Sequence, residues 1–274
     1  MKIKLISTFL IVLFMVVGFS GCIDLVNDKP GPEVRDYFEA EYHATNNTIL
    51  SISNVNGAIN VSSWDGDNIT LNATKRSTYG YDDLEKADII VSENNNEITI
   101  EIQHVKPIRS RAVDLNVKIP NNVTVKSASS TNGPVQITNT KGDAVFTNTN
   151  GPIIAEGIDG YIKASTTNGN IDIKDTKGVD DLTTTNGGIS AEIFDIKDDI
   201  DIQSTNGGIT IYLNSSINAS IEIITTNGDI SVYDSIISIT ESSNKHLKGT
   251  IGDGEKKINV KTTNGGINVF RLEM

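Results

Sequence analysis

A single cysteine, Cys22, stands in a chain of 274 residues, so no internal disulfide can staple the fold. Aromatic residues make up 5% and the one tryptophan is Trp64. A wide globular core wants more large side chains; a narrow core filled with Ile and Val does not. Three histidines occur, His43, His104 and His246, and none has a second His at the three-to-five-residue spacing of a zinc site. They read as solvent-facing, and no metal or other cofactor is expected. No Gly-x-Ser-x-Gly elbow singles out a nucleophilic serine. Bases are outnumbered, 23 against 35 acids, for a net charge of −12. That sign repels phosphate backbones and excludes nucleic acid as a partner.

Against this poverty one dipeptide recurs. Asn-Gly stands at Asn132, Asn150, Asn168, Asn186, Asn206, Asn227 and Asn264, with spacings of 18, 18, 18, 20, 21 and 37, the last close to two periods. Each copy follows Thr and precedes one variable residue and then Val or Ile. Two residues after each glycine come Val135, Ile153, Ile171, Ile189, Ile209, Ile230 and Ile267. Four residues before each Asn come Ala128, Phe146, Ala164, Leu182, Ile202, Ile223 and Val260. Apolar and polar positions alternate at period two, the mark of a strand. A unit of this length cannot bury its apolar face alone, so the units must stack.

The fold class is therefore all-β: a single-stranded parallel β-solenoid, or β-helix, with about 18–21 residues per rung. An antiparallel sandwich or propeller is the alternative, since hairpins also use Asn-Gly turns. The fixed length and the repeated identities favour the solenoid. On that reading the seven asparagines form a structural ladder, each amide bonding the next at the ~4.8 Å strand spacing. The bend takes Asn-Gly because both residues tolerate positive φ. Residues 126–274 are the regular rungs. Residues 34–125 are strand-rich without the beat and read as irregular starting coils of the same rod. With no linker between them, 34–274 is one domain.

The N-terminus has the form of an export signal over residues 1–21. Lys2 and Lys4 precede a mostly apolar stretch from Leu5 to Phe19, short for a membrane span. Phe19-Ser20-Gly21-Cys22 resembles a lipoprotein lipobox, with Phe19 in place of the usual Leu. The resemblance implies cleavage before Cys22 and lipidation of it. Residues 22–33, with two prolines and a glycine, form a polar tether. The partner so implied is the membrane itself, with the protein exported to the outer face of the cytoplasmic membrane or the cell surface. No second membrane segment and no cytoplasmic domain are expected.

The order of segments also resembles a known family. An early "NVNGAINV" is followed by "NITLNATKR", then "VDLNVKIPNNVTV", the Thr-Asn-Gly rungs, and "GTIGDGEKKINVKTTNGGINV". This is similar to the adhesin-like family of β-strand-repeat envelope domains of unknown function, over nearly all of residues 40–274. The resemblance implies a β-solenoid-like fold, and a link of some relatives to envelope-stress signalling. It carries over no catalytic residue.

Solenoids can host polysaccharide-active enzymes, which need clustered carboxylates on adjacent rungs. The outward row after Asn-Gly reads Gln136, Ile154, Asp172, Ser190, Thr210, Ser231, Asn268, with one acid. The row three residues before Asn reads Ser129, Thr147, Ser165, Thr183, Gln203, Ile224, Lys261, with none. No catalytic residue is assigned and the chain reads as a non-enzyme. The threonines immediately before Asn, notably Thr131, Thr149, Thr167, Thr185 and Thr205, form a surface array that could lie against a glycan; β-branched stacking explains them as well. The acids Asp180, Asp181, Asp195, Asp198, Asp199 and Asp201 match no calcium loop and read as a solvated edge. The expected function is a lipid-anchored, adhesin-like binding or scaffolding protein, its partner an envelope glycan or surface protein. A sensory ectodomain and, less favoured, a polysaccharide-active enzyme are the alternatives.

Overall fold

The computed structural model describes residues 29–233 and 236–273; the signal-like segment and Cys22 lie outside them. The chain begins with β1 (Val34–His43), β2 (Ile49–Asn56), β3 (Ile59–Trp64) and β4 (Asn68–Ser77), then a single helical turn α1 (Tyr81–Leu84). Next come β5 (Ala87–Asn94), β6 (Glu97–His104) and β7 (Ala112–Pro120). The repeat region supplies β8 (Thr124–Asn132), β9 (Val135–Thr138), β10 (Ala144–Asn150), β11 (Ile153–Asn168), β12 (Ile171–Asn186), β13 (Ile189–Ile193), β14 (Ile200–Asn206) and β15 (Ile209–Leu213). It closes with β16 (Ala219–Asn227), β17 (Ile230–Val232), β18 (Ser238–Ser242), β19 (His246–Ile251), β20 (Lys256–Asn264) and β21 (Ile267–Arg271).

Each Asn-Gly is a corner between two sheet faces. Strands leading into the corners build an upstream face in the order β5–β6–β2–β8–β10–β11–β12–β14–β20–β16–β19–β18. Strands leaving the corners build a downstream face, β1–β4–β7–β3–β9–β11–β12–β13–β15–β21–β17. The 16-residue strands β11 and β12 run round the third side and join both faces into one sheet. Most pairings are parallel, as a solenoid requires. The parallel register builds columns of like residues, for example Ile153, Ile171, Ile189, Ile209 and Ile267.

The lumen between the faces is aliphatic. Ile171, Ile189, Ile209, Ile202 and Ile223 are each no more than 2% exposed, and Phe146 is the one fully enclosed aromatic ring among the described residues. Burying such a side chain stabilises by about 1.5–3 kcal/mol, repeated at every rung. The scarcity of aromatics in the sequence accords with this lumen, which Ile, Val, Leu and Ala fill.

Stacking follows chain order as far as Asn206 and then departs from it. The rung of Asn264 lies between those of Asn206 and Asn227, because β20 pairs with both β14 and β16, and β21 with both β15 and β17. The spacing of 37 is thus a detour rather than two periods: β18 and β19 form an antiparallel hairpin over β16 before the chain returns to fill the gap. The starting region departs from a simple coil as well. Asn56 stacks on Asn132, and β3 lies between β7 and β9, so this early Asn-Gly is a full rung. Both ends close with antiparallel strands, β1–β4–β7 and β5–β6 at one end and β16–β19–β18 at the other.

Beside the first cap a buried ion pair is set. Arg111 is 0% exposed and its guanidinium meets Asp83 at 2.6 Å, while its Nε donates to His104 Nδ1 at 3.2 Å. His104 is therefore half-buried rather than solvent-facing; burial, then the Arg111 charge, holds its pKa below the ordinary histidine range.

Candidate binding surface

The asparagine corner is a polarised chain of hydrogen bonds. Asn227 donates to Asn264 at 2.8 Å, Asn264 to Asn206 at 2.7 Å, Asn206 to Asn186 at 2.8 Å and Asn186 to Asn168 at 2.7 Å. Asn168 donates to Asn150 and Asn150 to Asn132, both at 2.8 Å, and Asn132 to Asn56 at 2.6 Å. Asn56 ends the chain on the carbonyl of Arg111 at 3.2 Å. All amides point the same way, so each bond polarises the next. The ladder asparagines do not have positive φ; among the described residues only Asn95, Asn139 and Asp175 do, apart from glycines. Of the corner glycines Gly57, Gly133 and Gly151 do have positive φ; for the asparagines and the later corners the reason is different from turn strain. Asn is needed because its side chain both donates and accepts. Glycine is needed because the rungs approach so closely that a Cβ on Gly187 would overlap the Gly169 carbonyl, and one on Gly207 the Gly187 carbonyl.

Inside this column runs a second one that the sequence reading missed. Two residues before each Asn stand Asn54, Ser130, Asn148, Thr166, Thr184, Ser204, Thr225 and Thr262, all buried. Thr184 donates to Gly169 O at 2.9 Å, Ser204 to Gly187 O at 2.9 Å and Thr262 to Gly207 O at 2.8 Å. The signal was present. Period two places this position on the apolar side, yet every copy is a hydroxyl or amide.

The threonines Thr131, Thr149, Thr167, Thr185 and Thr205 are exposed, as are Thr226 and Thr263. The row beside them is in register as Ser53, Ser129, Thr147, Ser165, Thr183. It gives way to Gln203, Lys261 and Ile224 in the later rungs. The upstream face is thus a hydroxyl grid over its first half only.

The downstream face differs. At one end Asn60, Asn116, Gln136 and Thr138 line a groove of about 390 Å³ together with Lys118. Asn60 donates to Asn116 Oδ1 at 3.0 Å. At the other end Tyr212, Phe270 and Tyr233 form a stacked aromatic ladder, with ring centroids 5.3 and 4.7 Å apart. The ladder carries about 0.5–1.5 kcal/mol per pair beyond its burial. Tyr212 sits on β15, Phe270 on the neighbouring β21 and Tyr233 just past the end of β17, far apart in sequence, which hid them.

On the third side the acidic residues are tied to neighbours rather than gathered. Asp181 meets Lys163 at 2.6 Å, Asp180 meets Lys197 at 3.7 Å, and Tyr161 donates to Asp195 at 2.6 Å. That last bond, chiefly, pushes the Tyr161 phenol up to about 12. Burial raises Asp180. Among the described residues no three His, Cys, Asp or Glu side chains are grouped to hold a metal. No helix there is long and apolar enough to cross a membrane.

The Toastrack DUF4097 family matches residues 39–270, from the first cap to the last strand. The chain belongs to this family. Its two-faced stack of rungs is the Toastrack domain, a β-solenoid-like fold. Among solved structures, a candidate cell adhesion protein from Clostridium sporogenes is similar at 12% identity, covering 87% of this chain and 100% of its own, with a TM-score of 0.38. A candidate adhesin from Parabacteroides merdae is similar at 8% identity, covering 86% and 95%, with a TM-score of 0.41. A candidate lipid-binding protein from Parabacteroides distasonis is similar at 14% identity, covering 86% and 96%, with a TM-score of 0.36. No curated protein matches the chain.

Proposed function

We propose that this Toastrack chain is a non-enzymatic, adhesin-like binding or scaffolding rod, tethered by lipid at Cys22 to the outer face of the membrane. The observation that carries the reading is the straight, in-register rows of side chains on both faces, fixed by seven amide bonds from Asn56 to Asn227. A rigid flat surface of this kind presents many weak contacts at once to an extended partner, with little ordering entropy lost on binding. An envelope glycan or a surface protein is such a partner.

The test uses the full-length chain. Mass spectrometry of the mature N-terminus should find a lipidated Cys22, and Cys22→Ser should release the protein or leave an uncleaved precursor. The detergent-extracted chain should retain isolated envelope material without shortening it. An unmodified N-terminus elsewhere would overturn the tether. Failure to retain envelope material, or its degradation, would overturn the binding role.

A further inference from the structure

The groove and the aromatic ladder lie in line on one face. Gln136 and Thr138 of β9 are four strand steps from Tyr212 of β15, through β11, β12 and β13. At strand spacing that is roughly 19 Å along the rod. A track with a polar seat at one end and an aromatic ridge at the other is addressed by one extended molecule.

We infer that the downstream face binds a neutral polysaccharide laid along the rod axis. Four observations select this occupant. The groove offers the amides of Asn60, Asn116 and Gln136 and the hydroxyl of Thr138, groups that both donate and accept and so match sugar hydroxyls. The ridge offers ring surface to the C–H face of a pyranose; Tyr233, which ends the ladder, is 48% exposed. The charge of −12 disfavours a polyanion. A peptide adding itself as a strand needs an open sheet edge, whereas β9 and β15 are paired on both sides. Between the two ends the row from Thr138 to Tyr212 carries Glu156, Lys174 and Glu192, with Lys174 paired to Asp172 at 3.0 Å; this acidic middle turns away a polyanion.

This inference rests on the binding role proposed above and names its ligand class. The experiment titrates the full-length chain in detergent with cellohexaose, chitohexaose and mannohexaose, and with polygalacturonate as the acidic comparison. The readout is the fluorescence of Trp64, the one tryptophan, two residues beyond Ser62 on β3, whose indole donates to Asn68 O at 3.0 Å; calorimetry gives a second. At least one neutral hexamer should bind. Gln136→Ala and Tyr233→Ala should each weaken it about fivefold, the scale of one neutral contact. Tyr233→Phe should retain binding, and Lys126→Ala on the opposite face, an exposed residue of β8, should leave it unchanged. The inference is overturned if no neutral hexamer binds, if only polygalacturonate binds, or if Lys126→Ala is as damaging as Gln136→Ala. Retention of envelope material with those results would leave the binding role standing and remove only the ligand class.

Discussion

At the scale of single residues, the corner holds two polar columns in different surroundings. The ladder asparagines are exposed, whereas Thr184, two residues before Asn186, is 2% exposed. Removing an exposed amide costs about 0.5–1.5 kcal/mol, since water replaces part of what is lost; a buried carbonyl left without its donor costs about 1–3 kcal/mol. Thr184→Val should therefore destabilise more than Asn186→Ala in a denaturant melt. Asn132 has neighbours on both sides, Asn56 and Asn150, so Asn132→Ala should match Asn186→Ala. Asn227 donates to Asn264 at the end of the ladder, and Asn227→Ala should cost least. Tyr161 gives a pH test. Its folded pKa of about 12 lies above the ordinary value of 10.0, chiefly through the bond to Asp195. The unfolded phenol ionises first, so this contribution is complete below pH 10 and is lost as pH rises through about 12. Stability curves of the parent and Tyr161→Phe should diverge below that window and converge above it.

Elements formed as their alternation dictated. Ile171 points into the lumen at 1% exposure and its neighbour Asp172 points out to Lys174. Ile171→Asp buries an unpaired charge and should cost more than about 3 kcal/mol, whereas Asp172→Ser should stay within about 0.5 kcal/mol. Equal thermal shifts for the two would contradict the register. The strands, the lumen residues and the asparagine column were legible because each is a local period. The buried column of hydroxyls and amides was legible by parity, since period two places it on the apolar side. What lay beyond the sequence is non-local. Nothing in the local pattern states that β20 returns to the gap between β14 and β16. The Tyr212–Phe270–Tyr233 ladder depends on that same return, since Phe270 is carried by β21, and so it was hidden with it. The antiparallel caps rest on pairings such as β4 with β7, made across a long chain excursion.

The whole molecule is a directional rod. Its ladder starts on the Arg111 carbonyl and ends at Asn227, and beside that end the Lys245 ammonium bonds the Gly228 carbonyl while Asn244 O accepts from Ile230 N. A lysine at this position guards a sheet end against further strand addition. Every surface assigned above, the hydroxyl grid, the groove and the aromatic ridge, is set by which rung lies on which, so the rung order is the central claim. Disulfide trapping reads it directly in the full-length chain with Cys22→Ser, which leaves only introduced thiols. Cysteines bridge when their Cα atoms are about 4.4–6.8 Å apart and not beyond about 7 Å. Asn206 and Asn264 are direct partners, whereas Asn206 and Asn227 are two rungs apart, roughly 10 Å at strand spacing. Asn206→Cys with Asn264→Cys should oxidise readily to an intramolecular bond, and Asn206→Cys with Asn227→Cys should remain reduced. A bond in the second pair and none in the first would contradict the account.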